Sequence, residues 1–139
     1  MVNSLRFKEI NDLQITEDVL VCFAQTSLRD AISLMSGINT GSIVIIDEEN
    51  APIGIFTERD FLKKYAANPE NMSMDDPVSD YMTPSPKCVK SGATLDVAFG
   101  KMRLGNFRHL IVVDDDGKLK GIVSIKDAFN YVCDYISHA

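Results

Sequence analysis

The sequence predicts an α/β chain of the α+β type, built from two pseudo-symmetric repeats that each pack two helices on a small sheet. Three observations carry this. Residues 19–66 lie over residues 86–133 at a constant offset of 67, with identities at Leu28/Leu95, Ala31/Ala98, Met35/Met102, Asn39/Asn106, Asp47/Asp114, Gly54/Gly121, Ile55/Ile122 and Asp60/Asp127. Helical stripes and continuous β-branched runs alternate at matching places in both halves. A unit of about 50 residues buries too little surface to be comfortable alone, so the two are expected to pack their sheets into one globule.

Val19–Phe23 and Lys87–Val89 read as short opening strands. Ser27 and Thr94 are N-cap candidates for the helices that follow. Leu28, Ala31, Ile32 and Met35 make an i, i+3, i+4, i+7 stripe, and Leu95, Ala98, Phe99 and Met102 repeat it. Asn39 with Gly41, and Gly105 with Asn106, end these helices as residues that tolerate left-handed backbone. Ile43–Ile46 and Leu110–Val113 are β-branched runs of the kind buried on both faces. The acidic turns 47–50 and 114–117 then lead into Pro52–Phe56 and Leu119–Val123, predicting antiparallel hairpins. Closing helices are expected over 58–67 and 125–136. The polar stretch 68–77, broken by two prolines, reads as a linker, giving a first repeat with its lead-in over 1–67 and a second over 78–139.

Composition narrows the function classes. Of 139 residues, 45% are hydrophobic, enough for a core, and 14 Lys and Arg against 20 Asp and Glu give a net charge of −6. An acidic chain with no basic patch is not expected to bind nucleic acid. The longest apolar runs, such as Ile43–Ile46, fall far short of a membrane span of about 20 residues. No leader-like stretch opens the sequence, and Cys22, Cys88 and Cys133 are odd in number and widely spaced, as reduced thiols would be. A cytoplasmic protein is expected. His109 and His138 are far apart and no cysteine spacing suits zinc, so neither a metal nor a catalytic cofactor is expected.

The chemistry concentrates in Gly54-Ile55-Phe56-Thr57-Glu58-Arg59-Asp60 and Gly121-Ile122-Val123-Ser124-Ile125-Lys126-Asp127. Each runs from a strand through a hydroxyl residue into a helix N-terminus, where unpaired N–H groups and the helix dipole suit phosphate. Arg59 and Lys126 add positive charge, and Asp60 and Asp127 could accept both hydroxyls of a ribose. The glycine would keep bulk away from a planar ring. The same residues fit a second reading equally well: Thr-x-x-Asp and Ser-x-x-Asp are close to a capping box, which needs no ligand. The residues alone leave both open.

Taken in order, these features resemble a tandem pair of CBS domains, the Bateman module. The Gly-apolar-apolar-Thr/Ser-x-x-Asp pattern occurs twice at the end of a strand-helix-strand-strand-helix unit. Val78-Ser79-Asp80-Tyr81-Met82, Thr94-Leu95-x-x-Ala98 and Arg108-His109-Leu110-Ile111-Val112-Val113-Asp114 match as well. The likeness covers nearly the whole chain and departs where Gly41-Ser42 stands in place of Arg108-His109. It implies adenine nucleotides, or related adenosyl ligands, held in clefts between the repeats. Asp60 and Asp127 would hold riboses, Thr57 and Ser124 would sit beside ribose or phosphate, and Val21-Cys22 and Cys88-Val89 would border the adenines. Carried over residue by residue, the ligand of Asp60 would meet Arg108, His109 and Lys126, and that of Asp127 would meet Arg59 and the uncharged Gly41-Ser42.

The expected function is that of a stand-alone regulatory module, not an enzyme, which senses an adenine nucleotide and signals through a partner protein or its own dimer. The alternative is a structural interaction module with no physiological nucleotide. A nucleotide-processing enzyme ranks last, since no carboxylate pair for a metal adjoins the candidate phosphate site and no nucleophile elbow surrounds Ser124. Phe61, Leu62, Tyr65, Phe129, Val132 and Ile136 carry more apolar surface than a small globule can cover, so a homodimer is expected.

Overall fold

Side chains alternate along the first strand, β1 (Val21–Phe23): Cys22 is buried, while Val21 and Phe23 are not. The computed structural model describes residues 9–10, 19–105 and 109–138. Two units are resolved, one made of residues 19–86, the other of residues 87–139 together with the start of the chain.

In the first unit, β1 is followed by α1 (Leu28–Gly37), β2 (Ser42–Ile46), β3 (Pro52–Thr57), α2 (Glu58–Ala67) and the two-residue β4 (Thr83–Pro84). The sheet order is β1-β2-β3-β4. β1 runs parallel to β2, and α1 supplies the crossover. β2 and β3 form the predicted hairpin, with Ser42 opposite Thr57. All of Ile43–Ile46 is buried, as a continuous apolar run predicts. On α1 the stripe residues Leu28, Ala31 and Met35 are buried and Ile32 is partly so, packing with Cys22, Ile43, Ile45, Phe56, Val78 and Tyr81. Ser27 caps α1 by accepting from Asp30 N at 3.1 Å, and the chain leaves through Asn39 at φ +54°. The acidic turn is held by its own aspartate: Asp47 Oδ1 accepts from Glu49 N at 2.9 Å and Ala51 N at 3.0 Å.

The stretch 68–77, between the two repeats in sequence, packs against the first unit. Leu28 N donates to Asp76 O at 2.8 Å and Arg29 N to Met74 O at 2.9 Å, so carbonyls of this stretch satisfy donors that begin α1. Val78 N returns to Thr26 O at 2.7 Å, and Met72 and Met74 fill gaps against the core. Tyr81 OH then donates to the Asp76 carboxylate, and Lys64 Nζ donates to Asp80 O at 2.9 Å. These tertiary contacts are invisible to the local pattern, in which polar composition shows only a linker.

The second unit comprises β5 (Cys88–Lys90), α3 (Leu95–Gly105), β6 (His109–Val113), β7 (Leu119–Ser124) and α4 (Ile125–Ser137), with sheet order β5-β6-β7. Its registers copy the first: Cys88 pairs in parallel with Ile111, and His109 lies opposite Ser124. Asp114 Oδ1 accepts from Asp116 N and Lys118 N at 2.9 and 3.0 Å, and Gly117 takes φ +81°. Leu95, Ala98 and Met102 meet Val89, Leu110, Val112 and Val123 in the core. Ile10 is fully buried in that same core and its N donates to Ala93 O at 2.8 Å, so the lead-in of the first repeat serves the second. The repeat boundaries in sequence and the packing units therefore cut the chain at different places. Asn106 and Arg108 lie outside the described residues.

Candidate functional site

Both candidate turns are built the same way: a hairpin strand ends on a hydroxyl residue whose extended backbone starts a helix. Thr57 has φ −125° and ψ 160°, Ser124 φ −97° and ψ 160°. Asp60 N donates to Thr57 Oγ1 at 3.1 Å, and Thr57 N donates to Asp60 Oδ2 at 3.2 Å. In the second unit Asp127 N donates to Ser124 Oγ and Ser124 N to Asp127 Oδ2, both at 3.1 Å. These are reciprocal capping boxes, so the capping reading left open by the residues holds in both copies. It does not consume the carboxylates. Each aspartate uses one oxygen in its box and is half-buried, which leaves the other oxygen as an acceptor.

Beside each box sits an exposed cation, Arg59 in one unit and Lys126 in the other. His109 is exposed at the head of β6. Arg108, which the resemblance places on phosphate, is outside the described residues. Of the four residues expected to border adenines, Cys22 and Val89 point into the cores at 5% and 2% exposure. Their side chains are committed to packing, and what remains for a ligand is their backbone. Val21 and Cys88, equivalent at the offset of 67, are half-buried. Burial raises the thiol pKa of both Cys22 and Cys88; a bond with Thr26 and the charge of Lys101, respectively, oppose it. Burial thus favours the neutral thiol at both positions.

Gly54 differs from its expected role. A Cβ at this position would overlap Met82 Sδ and lie 2.9 Å from its Cγ. The space above the glycine belongs to a methionine and is not clearance for a planar ring. Glu58 was not singled out by its sequence. Its carboxylate lies over Gly41, 3.3 Å from where a Cβ would stand. The signal was present in the repeat comparison, where the equivalent residue is the apolar Ile125. Among the described residues no cluster of His, Cys, Asp and Glu could hold a metal ion, and no helix is long and apolar enough to cross a membrane.

A family model described as "CBS domain" matches residues 8–67 and 78–134. An uncharacterized 17.7 kDa protein of Acidianus ambivalens is 40% identical over 112 residues, covering 81% of this chain and 66% of that protein. The inosine-5'-monophosphate dehydrogenase of Aquifex aeolicus is 36% identical over 105 residues, covering 73% of this chain but 20% of the enzyme. This chain thus spans about two thirds of the first relative and a fifth of the second. A CBS domain protein of Pyrobaculum aerophilum, solved in complex with AMP, superposes with a TM-score of 0.75 at 25% identity, covering 86% of this chain and 89% of that one.

Proposed function

This chain belongs to the CBS domain family, and from that premise we propose that it is a regulatory module that binds an adenine nucleotide and performs no catalysis. The observation that carries the reading is the duplicated turn: in each unit a half-buried aspartate and a hydroxyl at a helix N-terminus, with an exposed cation one residue before the aspartate. An adenosine ribose would donate to the oxygens of Asp60 and Asp127 that lie outside the capping boxes. Thr57 and Ser124 would border the ribose or phosphate. Arg59, Arg108, His109 and Lys126 would answer phosphate charge, and Val21 and Cys88 would border adenine. AMP in the Pyrobaculum protein supports this ligand class.

Output then passes to a protein target, or through self-association, in the cytoplasm. The capping boxes favour a second reading, because they explain the same residues in an interaction module with no ligand. Melting in the presence of millimolar AMP, ADP and ATP separates the two. A ligand bound only by the folded state at about 100 times its Kd stabilises by roughly 2.7 kcal/mol, which raises Tm by several degrees. No shift with any of the three would favour the interaction module, and turnover of ATP with magnesium would point to an enzyme.

A further inference from the structure

The two helices of the first unit meet a common cavity with the same spacing. Ile32, Met35 and Ser36 on α1, and Glu58, Phe61 and Leu62 on α2, each stand at i, i+3 and i+4, one face of a helix. The cavity they line measures about 400 Å³, within the range that small ligands occupy. Phe56 on β3, fully buried, forms its floor, and Leu62, 63% exposed, stands at its mouth. Met74 adds a wall, and the bond from Arg29 N to Met74 O at 2.9 Å holds the backbone there. Two polar side chains interrupt this apolar lining, those of Ser36 and Glu58. Among the described residues no cation pairs with Glu58. Arg59, the next residue, lies off this face of α2, and Arg29, one turn before Ile32, is engaged by Asp75. The second unit does not repeat the chemistry: at the offset of 67, Ser36 corresponds to Arg103 and Glu58 to Ile125.

We propose that this cavity binds a small amphiphilic cation, its aliphatic body seated against Met35, Phe56 and Phe61 and its ammonium head on Glu58. Thr57, Arg59 and Asp60 do not line it, so the site is independent of the nucleotide reading. Each methylene that leaves water for the apolar lining favours entry. A single carboxylate in such a lining favours a cation over an uncharged head and disfavours an anion. The Ser36 hydroxyl can accept a further ammonium N–H.

NMR titration of the full chain with hexylamine, hexanol and hexanoate at pH 7 and low salt tests this on wild type, Glu58→Gln, Glu58→Lys and Ile32→Phe. Amide shifts are expected at the lining residues of α1 and α2, with hexylamine binding most tightly and hexanoate most weakly. Glu58→Gln is expected to weaken hexylamine by about two- to fivefold, the range of an exposed charge pair, with hexanol unchanged. Glu58→Lys is expected to reverse the order of hexylamine and hexanoate. Ile32→Phe, which installs the side chain of the equivalent Phe99, narrows the cavity and is expected to weaken all three. Equal binding of the three by wild type, or an order unchanged in Glu58→Lys, would overturn the ammonium assignment. No shift at the lining residues with any of the three would overturn the site itself.

Discussion

Met82 fills the volume that any side chain at Gly54 would need, its Sδ overlapping the Cβ position and its Cγ lying 2.9 Å from it. Gly54 lies opposite Pro84 across the β3–β4 pairing, so the approach is imposed by the sheet as well as by the side chain. Gly54→Ala is therefore expected to destabilise the protein by about 1–3 kcal/mol through overpacking. In a Met82→Ala background the same change should cost nothing or stabilise, because glycine in a strand is worth about 0.5–1 kcal/mol less than alanine. Urea denaturation of the four proteins reads the coupling. An equal cost of Gly54→Ala in both backgrounds would separate glycine from methionine.

That contact marks where sequence reasoning ends. The stripe of Leu28, Ala31 and Met35 and the run Ile43–Ile46 were legible because a helix and a buried strand each impose a local period, and both were found buried. The hairpins were legible from the turn residues, with Asn50 and Gly117 at positive φ. Nothing local links Gly54 to Met82, or Asp76 O to Leu28 N, so the role of 68–77 stayed hidden. β4 was missed for a simpler reason: two residues ending in proline show no alternation, and proline is tolerated there because β4 is an edge strand. The candidate turns were found, but their meaning was not, since one set of atoms suits capping and a ligand alike.

Acid stability should depend on the Tyr81–Asp76 bond. Its hydroxyl donates to the Asp76 carboxylate, which together with Ser73 N holds the Asp76 pKa below 3.8. A carboxyl whose folded pKa is depressed contributes stability above its unfolded pKa, and this is lost as pH falls through the folded value. The stability difference between wild type and Tyr81→Phe is therefore expected to narrow from pH 7 towards pH 3. The Tyr81 pKa is raised above 10 by the same partner, so its contribution is present below pH 10 and lost as pH rises further. Urea midpoints across pH check both limbs, and a pH-independent difference would dissociate the bond from stability.

Self-association is expected through the closing helices. Leu62 and Tyr65 on α2 are 63% and 53% exposed, and Phe129 and Ile136 on α4 are 66% and 55% exposed. Large apolar side chains at such exposure are what a homodimer would cover. Light scattering of wild type should give a particle of twice 15.4 kDa, and Leu62→Glu or Phe129→Glu should return it to 15.4 kDa with the fold retained. A 15.4 kDa wild-type particle at high concentration would remove the dimer.

Capping and ligand binding can be pulled apart at Asp60, because the two roles ask for different chemistry. The box needs an acceptor for Thr57 N, and the carbonyl oxygen of an asparagine supplies one. The ribose hydroxyls would donate to the carboxylate oxygen left outside the box and gain from its charge; with the asparagine carbonyl in the box, its NH2, an uncharged donor, would face them instead. Asp60→Asn is therefore expected to leave unliganded stability within about 0.5 kcal/mol of wild type, while Asp60→Ala, which empties the box, costs about 0.5–2 kcal/mol. For AMP both variants should lose about one charge-assisted hydrogen bond, roughly 1.5–3 kcal/mol, or tenfold and more in affinity. The same split is expected for Asp127→Asn and Asp127→Ala in the second unit. Urea denaturation without ligand and calorimetry with AMP give the two numbers for each variant. If Asp60→Asn and Asp127→Asn bind AMP as wild type does, the carboxylates are caps alone and the ribose lies elsewhere. If binding falls only in the alanine variants and in step with their stability, the loss is one of folding and not of recognition.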